Sequence, residues 1–551
     1  MSTDLSNSDT ISPVLTPTQL RRLEAFGRKE SVDKGFVLFD AGDRSIDFFV
    51  VISGAVEVCQ YSDGTMRRVV RPGPNEFIGD PSTLSGRAAV VQARADEDSE
   101  ILRIAPERFR RIVVEDSELS DLFLRTFLAR RTALIARGYG SIKVVGSRYA
   151  RDTHRIREFL TRNSQPYEFV DVEREEGVAD LLVALNVGID ETPVVVCGAG
   201  HVSRNPTDSS LARVLGFDEV NETEVCDVIV VGAGPAGLAA SVYAASEGLS
   251  VSAIDTGSPG GQAGTSSKIE NYLGFPTGIS GLELAQRATT QAVKFGARMA
   301  NPVEAVALTP QGPVFEVRFA DGRQIRGRSV AIATGAKYQR LEVADSDLYE
   351  GSGLYYGATA MESELCAGAD VIIVGGGNSA GQGAVHLAKN ARSVHILIRR
   401  ESPADTMSRY LIRRIEETPN IELHTCSEIT RLFGENSRLK AVEYKNRRTG
   451  EVVRLETSSV FLFIGAKPCT AWLSKTLALD EKGFIKTGPD LSHDDLNRAG
   501  NRERPPTLFE TSLPRVYAVG DVRGGSVKRV ASAVGEGSIV VQFIHRALNG
   551  E

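Results

Sequence analysis

Two glycine-rich turns are the parts of this sequence best suited to chemistry, and each follows an apolar strand pattern and precedes a helical one. The first turn reads G-x-G-x-x-G and the second reads G-x-G-x-x-A. Their small residues are Gly232, Gly234 and Gly237 in the first turn, and Gly375, Gly377 and Ala380 in the second. In such a turn the backbone can approach a pyrophosphate, which then lies at the helix N-terminus. Two turns predict two dinucleotide sites, whereas the alternative is that the glycines only pack a helix on a sheet.

The charges that end the next strand of each unit differ between the two turns. Asp255 ends the first, 18 residues after Gly237, where an acid can bind a ribose hydroxyl. Arg399 and Arg400 end the second, where guanidinium groups would hold a 2′-phosphate that an acid would repel. The sequence therefore favours NADP over NAD at the second turn. The alternative is an ordinary solvated basic segment.

The rest of the chain supplies further segments. Its 551 residues predict about three or four domains. Residues 1–15 read as a flexible tail, and residues 16–137 as short apolar strands between glycine turns, typical of a β-roll, followed by helices. Residues 138–220 alternate strand and helix patterns, which predicts a small α/β domain. The two similar glycine-turn units in residues 221–551 predict two α/β Rossmann-like domains.

Composition limits the class of protein and its partners. The net charge of −7 argues against nucleic acid as a partner, and no apolar run approaches the roughly 18 residues of a membrane span. Six scattered cysteines without a C-x-x-C spacing predict a reducing, cytoplasmic location and no metal site. The polar N-terminus does not resemble a signal peptide.

From residue 226 onward the chain resembles the low-molecular-weight thioredoxin reductase family of flavoproteins. Matching stretches are GAGPAGLAA (232–240), PGGQ (259–262), IENYLGFP (269–276), ATG (333–335), GGGNSA (375–380), FIGAKP (463–468) and VYAVGDV (516–522). The resemblance implies an FAD domain formed by residues 221–338 and 461–551, with an NADPH domain, residues 339–460, inserted in it. It also implies a homodimer, a small redox protein or another unidentified electron acceptor as partner, and hydride transfer from NADPH to the flavin.

The resemblance carries individual site residues as well. Those expected at FAD are Gly232, Gly234, Pro235, Ala236, Gly237, Asp255, Gly261, Gln262, Asn271, Ala333, Thr334, Gly335, Gly520, Asp521, Arg529, Val530 and Ala531. Those expected at NADPH are Gly375, Gly377, Asn378, Ser379, Ala380, Arg399, Arg400, Ile464 and Gly465.

The redox cysteines of that family are missing from this sequence. At the positions of the usual C-x-x-C pair stand Gly357 and Ala360, and the nearest thiol, Cys366, is alone. No catalytic residue is therefore assigned. The leading interpretation is an FAD-dependent NADPH oxidoreductase with an unidentified acceptor. The alternatives are a thioredoxin-disulfide reductase with thiols that the sequence does not pair, a ferredoxin– or flavodoxin–NADP reductase, and a flavoprotein sensor regulated through its N-terminal domain.

The β-roll segment resembles the cyclic-nucleotide-binding domain family in the stretches KGFVLFDAGD, FFVVISGAVEV and FIGD. By this resemblance Gly79, Asp80, Arg87 and Ala88 would hold a cyclic nucleotide, with Asp80 on the ribose and Arg87 on the phosphate. The segment departs from the family pattern because Asp80 replaces a glutamate and Pro81 follows it. The alternative is a degenerate sensor used for dimerisation or docking.

The segment 138–220 resembles the thioredoxin/glutaredoxin fold. Thr192-Pro193 stands where that fold has a cis-proline, and Ala150 and Thr153 stand at the positions of its redox pair. The resemblance implies a structural role or recognition of a partner.

Overall fold

The computed structural model divides the chain into two compact units. It describes all residues except 1–10, 63–64, 137–141, 176, 198–200, 267, 357, 359–362, 365, 436–437, 499–503 and 551. The first unit comprises residues 1–222, 244–258 and 289–303, and the second comprises residues 223–243, 259–288 and 304–551.

The first unit begins with a β-roll flanked by helices. Its elements are α1 (Pro17–Glu24), β1 (Arg28–Val32), β2 (Val37–Phe39), β3 (Phe48–Ser53), β4 (Val56–Ser62), β5 (Thr65–Val70), β6 (Phe77–Ile78), α2 (Pro81–Ser85), β7 (Gln92–Ala95), β8 (Ser99–Ile104), α3 (Pro106–Glu115) and α4 (Ser117–Ala136). The strands form two antiparallel sheets, in the orders β1-β8-β3-β6 and β2-β7-β4-β5. Phe48 and Phe77 on the strands pack against Phe109, Phe123 and Phe127 on α3 and α4, which anchors the helices on one sheet.

A four-stranded α/β segment follows in the same unit. Its elements are β9 (Lys143–Gly146), α5 (Arg151–Arg162), β10 (Glu168–Asp171), α6 (Val178–Ala184), β11 (Val194–Cys197), β12 (His201–Arg204) and α7 (Asp208–Leu215). The sheet order is β10-β9-β11-β12, in which β10 is parallel to β9, while β11 is antiparallel to β9 and to β12. The Thr192–Pro193 peptide bond is cis.

The next elements begin the C-terminal part of the chain, which contains the two glycine-rich turns. They are β13 (Val225–Val231), α8 (Pro235–Ser246), β14 (Val251–Ile254), α9 (Gly281–Lys294), β15 (Arg298–Ala300), β16 (Ala305–Gln311), β17 (Val314–Phe319) and β18 (Gln324–Ile332). In the first unit, β14 pairs in parallel with β15, and a buried hydrogen-bonded group holds this part to the α/β segment. Asn163 donates to the Ser258 hydroxyl at 2.7 Å and accepts from the Asn301 amide at 2.7 Å.

The second unit contains the remaining strands. They and their helices are β19 (Ala336–Tyr338), β20 (Leu354–Tyr355), β21 (Asp370–Val374), α10 (Asn378–Leu387), β22 (Ser393–Leu397), α11 (Arg409–Glu416), β23 (Ile421–His424), β24 (Ser427–Glu435), β25 (Arg438–Asn446), β26 (Val452–Glu456), β27 (Val460–Leu462), β28 (Ala466–Pro468), α12 (His493–Arg498), β29 (Val516–Ala518) and α13 (Val530–Asn549).

Two sheets that contain parallel strands position the glycine-rich turns of this unit. In the first, β13 and β29 lie parallel to β18 on its two sides. The second is wholly parallel, in the order β20-β27-β21-β22-β23, and its two faces are covered by α10 and α11 and by the antiparallel sheet β24-β25-β26. Continuous apolar runs such as Val371 to Val374 fit strands that are buried on both faces. Among the described residues no helix is long and apolar enough to span a bilayer.

Candidate functional site

The first glycine-rich turn lies between β13 and α8. Gly232 adopts φ +106°, and a Cβ there would lie 2.3 Å from the carbonyl oxygen of Ala333, so the close approach of two chain segments requires glycine. A Cβ on Gly234, in contrast, would meet only the Cα of Gly261, at 3.9 Å. Glycine at this second position therefore keeps space open beside the backbone, as an approaching pyrophosphate needs.

Helix α8 begins directly after this open space. Pro235 is its first residue, and a Cβ on Gly237 would lie 1.8 Å from the carbonyl oxygen of Gly232. The absence of a side chain at Gly237 therefore lets the first turn of the helix lie close to the end of β13. The free N–H groups of a helix N-terminus and its dipole both favour an anion at this point.

The C-terminal part of the chain closes one side of the same turn. Gly520 adopts φ +74°, and a Cβ there would lie 2.8 Å from the Cβ of Ala236. Its N–H donates to Glu536 on α13 at 2.7 Å, and Arg523 pairs with the same carboxylate at 2.6 Å. The sequence reasoning missed Glu536, although an acid in the apolar stretch of α13 was a visible signal.

Burial changes the electrostatics of Asp521, the residue that follows Gly520. Desolvation raises its pKa, against the attraction of Lys528. The Lys528 ammonium donates to the Asp521 carbonyl oxygen at 2.5 Å, and burial lowers the pKa of that ammonium. Arg529 is the N-cap of α13, and Val530 and Ala531 form its first turn.

The other residues expected at FAD lie on several loops. Gly261 and Gly335 have positive φ, the Gln262 amide donates to the Ala336 carbonyl oxygen, and the Thr334 hydroxyl donates to the Cys469 carbonyl oxygen at 3.0 Å. Asn271 is exposed. Asp255 belongs to the first unit, at the end of β14, where its carboxylate accepts from the Gly257 N–H at 2.8 Å.

The second glycine-rich turn lies between β21 and α10 and repeats the same arrangement. Gly375 adopts φ +142°, and a Cβ there would lie 2.4 Å from the Phe463 carbonyl oxygen, whereas a Cβ on Gly377 would meet nothing within 4 Å. Ala380 is fully buried on α10. The Asn378 side chain accepts from the Ser408 N–H at 2.7 Å, and Ser379 follows it in the first turn of the helix.

Arg399 and Arg400 follow β22 and carry charges that the protein itself hardly neutralises. Their side chains are 62% and 61% exposed, and their nearest described carboxylates are Glu428 at 3.9 Å and Asp405 at 3.5 Å. Because these two guanidinium groups are exposed and only weakly paired, they can bind an added anion.

The last two residues expected at NADPH, Ile464 and Gly465, connect β27 to β28. Gly465 has φ +105°, and its carbonyl oxygen accepts from the Gln339 N–H at 2.8 Å.

The residues present fit two dinucleotides. In both turns the first small position is filled by a neighbouring carbonyl group, and the second is open. A turn whose glycines served packing alone would have no need of the open position. The observed difference supports phosphate approach at Gly234 and at Gly377.

The thiols give no redox pair. The predicted replacements Gly357 and Ala360 lie outside the described residues. All six cysteines are described and no disulfide joins any of them, and Cys366 is fully buried in the apolar core beneath α10. Burial raises the pKa of the Cys59 and Cys197 thiols to about 11, which makes both poor nucleophiles.

In the β-roll, the predicted cyclic-nucleotide residues already have protein partners. Asp80 caps α2 by accepting from the Ser82 N–H at 2.8 Å, and it pairs with Arg131 of α4 at 3.1 Å. The Arg87 guanidinium lies 4.5 Å from the ring centre of Phe217, and burial with the nearby Arg131 lowers its pKa to about 10. Sequence reasoning missed Arg131, which is 51 residues from its partner.

Gly79 and Ala88, the other two residues predicted to hold a cyclic nucleotide, and the interior of the roll are also closely packed. A Cβ on Gly79 would lie 3.0 Å from the Phe48 ring, and the Ala88 carbonyl oxygen accepts from the Ser82 hydroxyl at 3.2 Å. The cavity inside the roll measures about 50 Å³ and is lined mostly by apolar side chains. Ligand pockets commonly measure about 300–1,000 Å³.

Two families match the chain. The family described as "Pyridine nucleotide-disulphide oxidoreductase" matches residues 226–537, which is more than half of the chain, and the family described as "Cyclic nucleotide-binding domain" matches residues 29–116. The N-terminal β-roll is thus a domain of the cyclic nucleotide-binding family.

Curated relatives match more than half of the chain. The thioredoxin reductase of Bacillus subtilis is 30% identical over 59% of this chain and 95% of its own length. The thioredoxin reductase of Borreliella burgdorferi is 31% identical over 60% of this chain and 95% of its own length.

Solved structures agree with the fold. The thioredoxin reductase of Lactococcus lactis has a TM-score of 0.53 with 27% identity, and it covers 59% of this chain and 100% of its own. The thioredoxin reductase of T. acidophilum has a TM-score of 0.52 with 30% identity, and it covers 58% of this chain and 97% of its own. The chain therefore belongs to the pyridine nucleotide-disulphide oxidoreductase family and is an FAD-dependent NAD(P)H oxidoreductase of the thioredoxin reductase-like kind.

Proposed function

We propose that this enzyme oxidises NADPH and passes the electrons to an acceptor that is not a disulfide. The observation that carries this proposal is the spacing and burial of the cysteine thiols. No two cysteines have the C-x-x-C spacing, and Cys366, the thiol nearest the missing pair, is 0% exposed. A thiol must be accessible to attack a disulfide sulfur, so Cys366 is unsuited to that exchange.

In this reaction the residues around each glycine-rich turn would bind and orient the two cofactors. Gly234 and the start of α8 would hold the FAD pyrophosphate, and the Gly520–Glu536 hydrogen bond would fix the wall opposite. Gly377 and the start of α10 would hold the NADPH pyrophosphate. When both are bound, the cofactors supply hydride transfer from nicotinamide to flavin, while the protein sets their separation and electrostatics.

The nucleotide preference is part of the proposal. Arg399 and Arg400 would bind the 2′-phosphate of NADPH, because both are exposed at the strand end that follows the second turn. Asp255, at the end of β14, would bind a ribose hydroxyl of FAD.

The acceptor is tested with flavin-loaded full-length protein reduced by NADPH without oxygen. The reduced enzyme is mixed in turn with thioredoxin, ferredoxin, flavodoxin, a quinone and oxygen, and the return of flavin absorbance is followed. We expect reoxidation by at least one of the last four and none by oxidised thioredoxin.

Thioredoxin reduction, the activity named for the Bacillus subtilis relative, is the competing function. Turnover of thioredoxin that is lost in Cys366→Ser would establish it and contradict the proposal. Cys426→Ser is the matched control, since Cys426 is also a buried thiol of the inserted part.

For the β-roll we propose docking in place of nucleotide binding. Asp80 is engaged by Arg131, and Arg87 packs on Phe217 of the α/β segment. Arg131 also donates to the Ser164 carbonyl oxygen of that segment at 2.8 Å. Calorimetry with cyclic AMP and cyclic GMP tests this: absence of heat is expected, and saturable binding lost in Arg87→Ala would overturn it.

We further propose that residues 138–220 form a thioredoxin-like domain without redox function. The sheet order β10-β9-β11-β12, with one parallel pair and two antiparallel pairs, supports this. Ala150 and Thr153 at the start of α5 offer no thiol. A homodimer in the cytoplasm is the expected setting, and sedimentation of the purified protein checks the dimer.

A further inference from the structure

Three potential metal ligands meet on adjacent strands of the inserted part of the second unit. His395 lies on β22, and Glu422 and His424 lie on β23. His395 is the register partner of Glu422, and side chains two residues apart on a strand share a face. The Nδ1 atom of His395 lies 3.1 Å from Nε2 of His424 and 3.4 Å from a carboxylate oxygen of Glu422, and the remaining edge is 3.6 Å.

These separations match the coordination shell of a small metal ion. Zn²⁺ binds nitrogen at about 2.0–2.1 Å and carboxylate oxygen at about 2.0–2.2 Å, and tetrahedral angles then place two ligand atoms about 3.3–3.5 Å apart. The three observed edges, from 3.1 to 3.6 Å, bracket that distance. An ion can therefore be bound with little movement of these side chains.

Hydrogen bonds orient His395 for such a role. Its Nε2 lies 2.9 Å from the Ser393 hydroxyl, which donates to an Asp370 carboxylate oxygen at 2.7 Å. Ser393 therefore accepts from the Nε2–H of His395, and the lone pair of Nδ1 faces His424. Arg392 holds Asp370 in place with two hydrogen bonds of 2.7 and 2.6 Å. A histidine whose other ring nitrogen donates to a hydroxyl–carboxylate pair is typical of metal sites.

We propose that His395, Glu422 and His424 bind one divalent transition-metal ion, with Zn²⁺ as the best match in ligand type and geometry. Before binding, the Nε2–H of His424 donates to Nδ1 of His395. When the ion takes Nε2, this proton moves through solvent to Nδ1 of the same ring, so that His424 binds as a neutral imidazole. Water completes the coordination, because the Glu422 side chain is 59% exposed and leaves one side open.

The ion would connect the edge strand β23 to β22, close to Arg399 and Arg400. The Ile398 N–H donates to the His424 carbonyl oxygen at 2.9 Å, and Arg399 is the next residue. The proposed ion would thus connect the ends of β22 and β23. This departs from the sequence-based expectation of no metal.

The test is calorimetric titration of metal-stripped, flavin-loaded full-length protein with Zn²⁺ in two buffers of different ionisation enthalpy. We expect one ion per chain, with little net proton release and therefore similar heats in the two buffers, and a rise in the melting temperature. His424→Ala should abolish binding, and Glu422→Gln should weaken it by about tenfold or more. The control His201→Ala, which removes an exposed histidine of β12, should bind as the wild type does.

The absence of saturable binding, or equal affinity in His424→Ala and the wild type, would overturn the proposal. Flavin content and circular dichroism check that each variant folds. If His424→Ala does not fold, Glu422→Gln decides the question, because this exposed carboxylate can be changed without opening the core.

Discussion

The double substitution Arg399→Ala/Arg400→Ala tests how the enzyme distinguishes its two possible nucleotides. Neither arginine supports the fold strongly, since their nearest described carboxylates are 3.9 and 3.5 Å away and both side chains are mostly exposed. We therefore expect the melting temperature to change little, as for surface substitutions in general. What the variant loses is the positive charge that we propose binds the 2′-phosphate.

The expected fall in kcat/KM for NADPH depends on how exposed the two arginine side chains are. A hydrogen bond to a charged group is worth about 1.5–3 kcal/mol, and solvent screening at exposed positions reduces this to about 1–1.5 kcal/mol for each arginine. The sum, about 2–3 kcal/mol, corresponds to a fall of about 30- to 150-fold in kcat/KM for NADPH, at 1.36 kcal/mol for each factor of ten. The effect should shrink as ionic strength rises.

The assay measures kcat/KM for NADPH and NADH with one artificial acceptor. The value for NADH should stay the same, because it lacks the 2′-phosphate, and Arg448→Ala, an exposed arginine between β25 and β26, serves as control. Equal losses with both nucleotides, or no loss with NADPH, would refute the assignment of these two residues.

The other predictions concern packing and buried charge. Gly237→Ala should lose bound flavin and lower the free energy of unfolding by several kcal/mol, because its Cβ would lie 1.8 Å from a backbone oxygen. Gly234→Ala, whose Cβ has open space, should fold but bind FAD more weakly. Flavin content and melting curves check both variants. Arg131→Leu leaves a buried carboxylate unpaired and should cost about 3 kcal/mol in chemical denaturation, whereas Arg125→Leu on the same helix, from an exposed pair, should cost about 0.5 kcal/mol or less. Burial opposes ionisation of Glu510, but hydrogen bonds outweigh it and lower its pKa, so the carboxylate stabilises the fold above pH of about 4.3 and loses this effect as pH falls through its lowered pKa. The melting temperature of Glu510→Gln should therefore differ most from the wild type near pH 7, and an equal difference at pH 4 would contradict this.

The conformation of the two glycine-rich turns was predictable from the sequence because it depends on local spacing. Gly232 and Gly375 follow strands and precede helices within a few residues, and the same positions prove to be crowded by backbone. The C-terminal family motifs were equally informative, and the matched families agree with both resemblances at the two ends of the chain.

Partners distant in sequence were not predictable in the same way. The pair between Asp80 and Arg131 depends on how α4 packs on the roll, and no local pattern specifies that packing. The histidine cluster depends on the parallel register of β22 and β23. The spacing of Glu422 and His424 was a partial signal, since residues two apart on a strand share a face, but their partner lies on another strand.

Anaerobic titration of the purified, flavin-loaded protein with NADPH tests the central claim most directly. The account predicts that about one equivalent of NADPH per chain bleaches the flavin absorbance, and that NADH does so only at much higher concentration. A flavin spectrum that stays unchanged with excess NADPH would contradict the account.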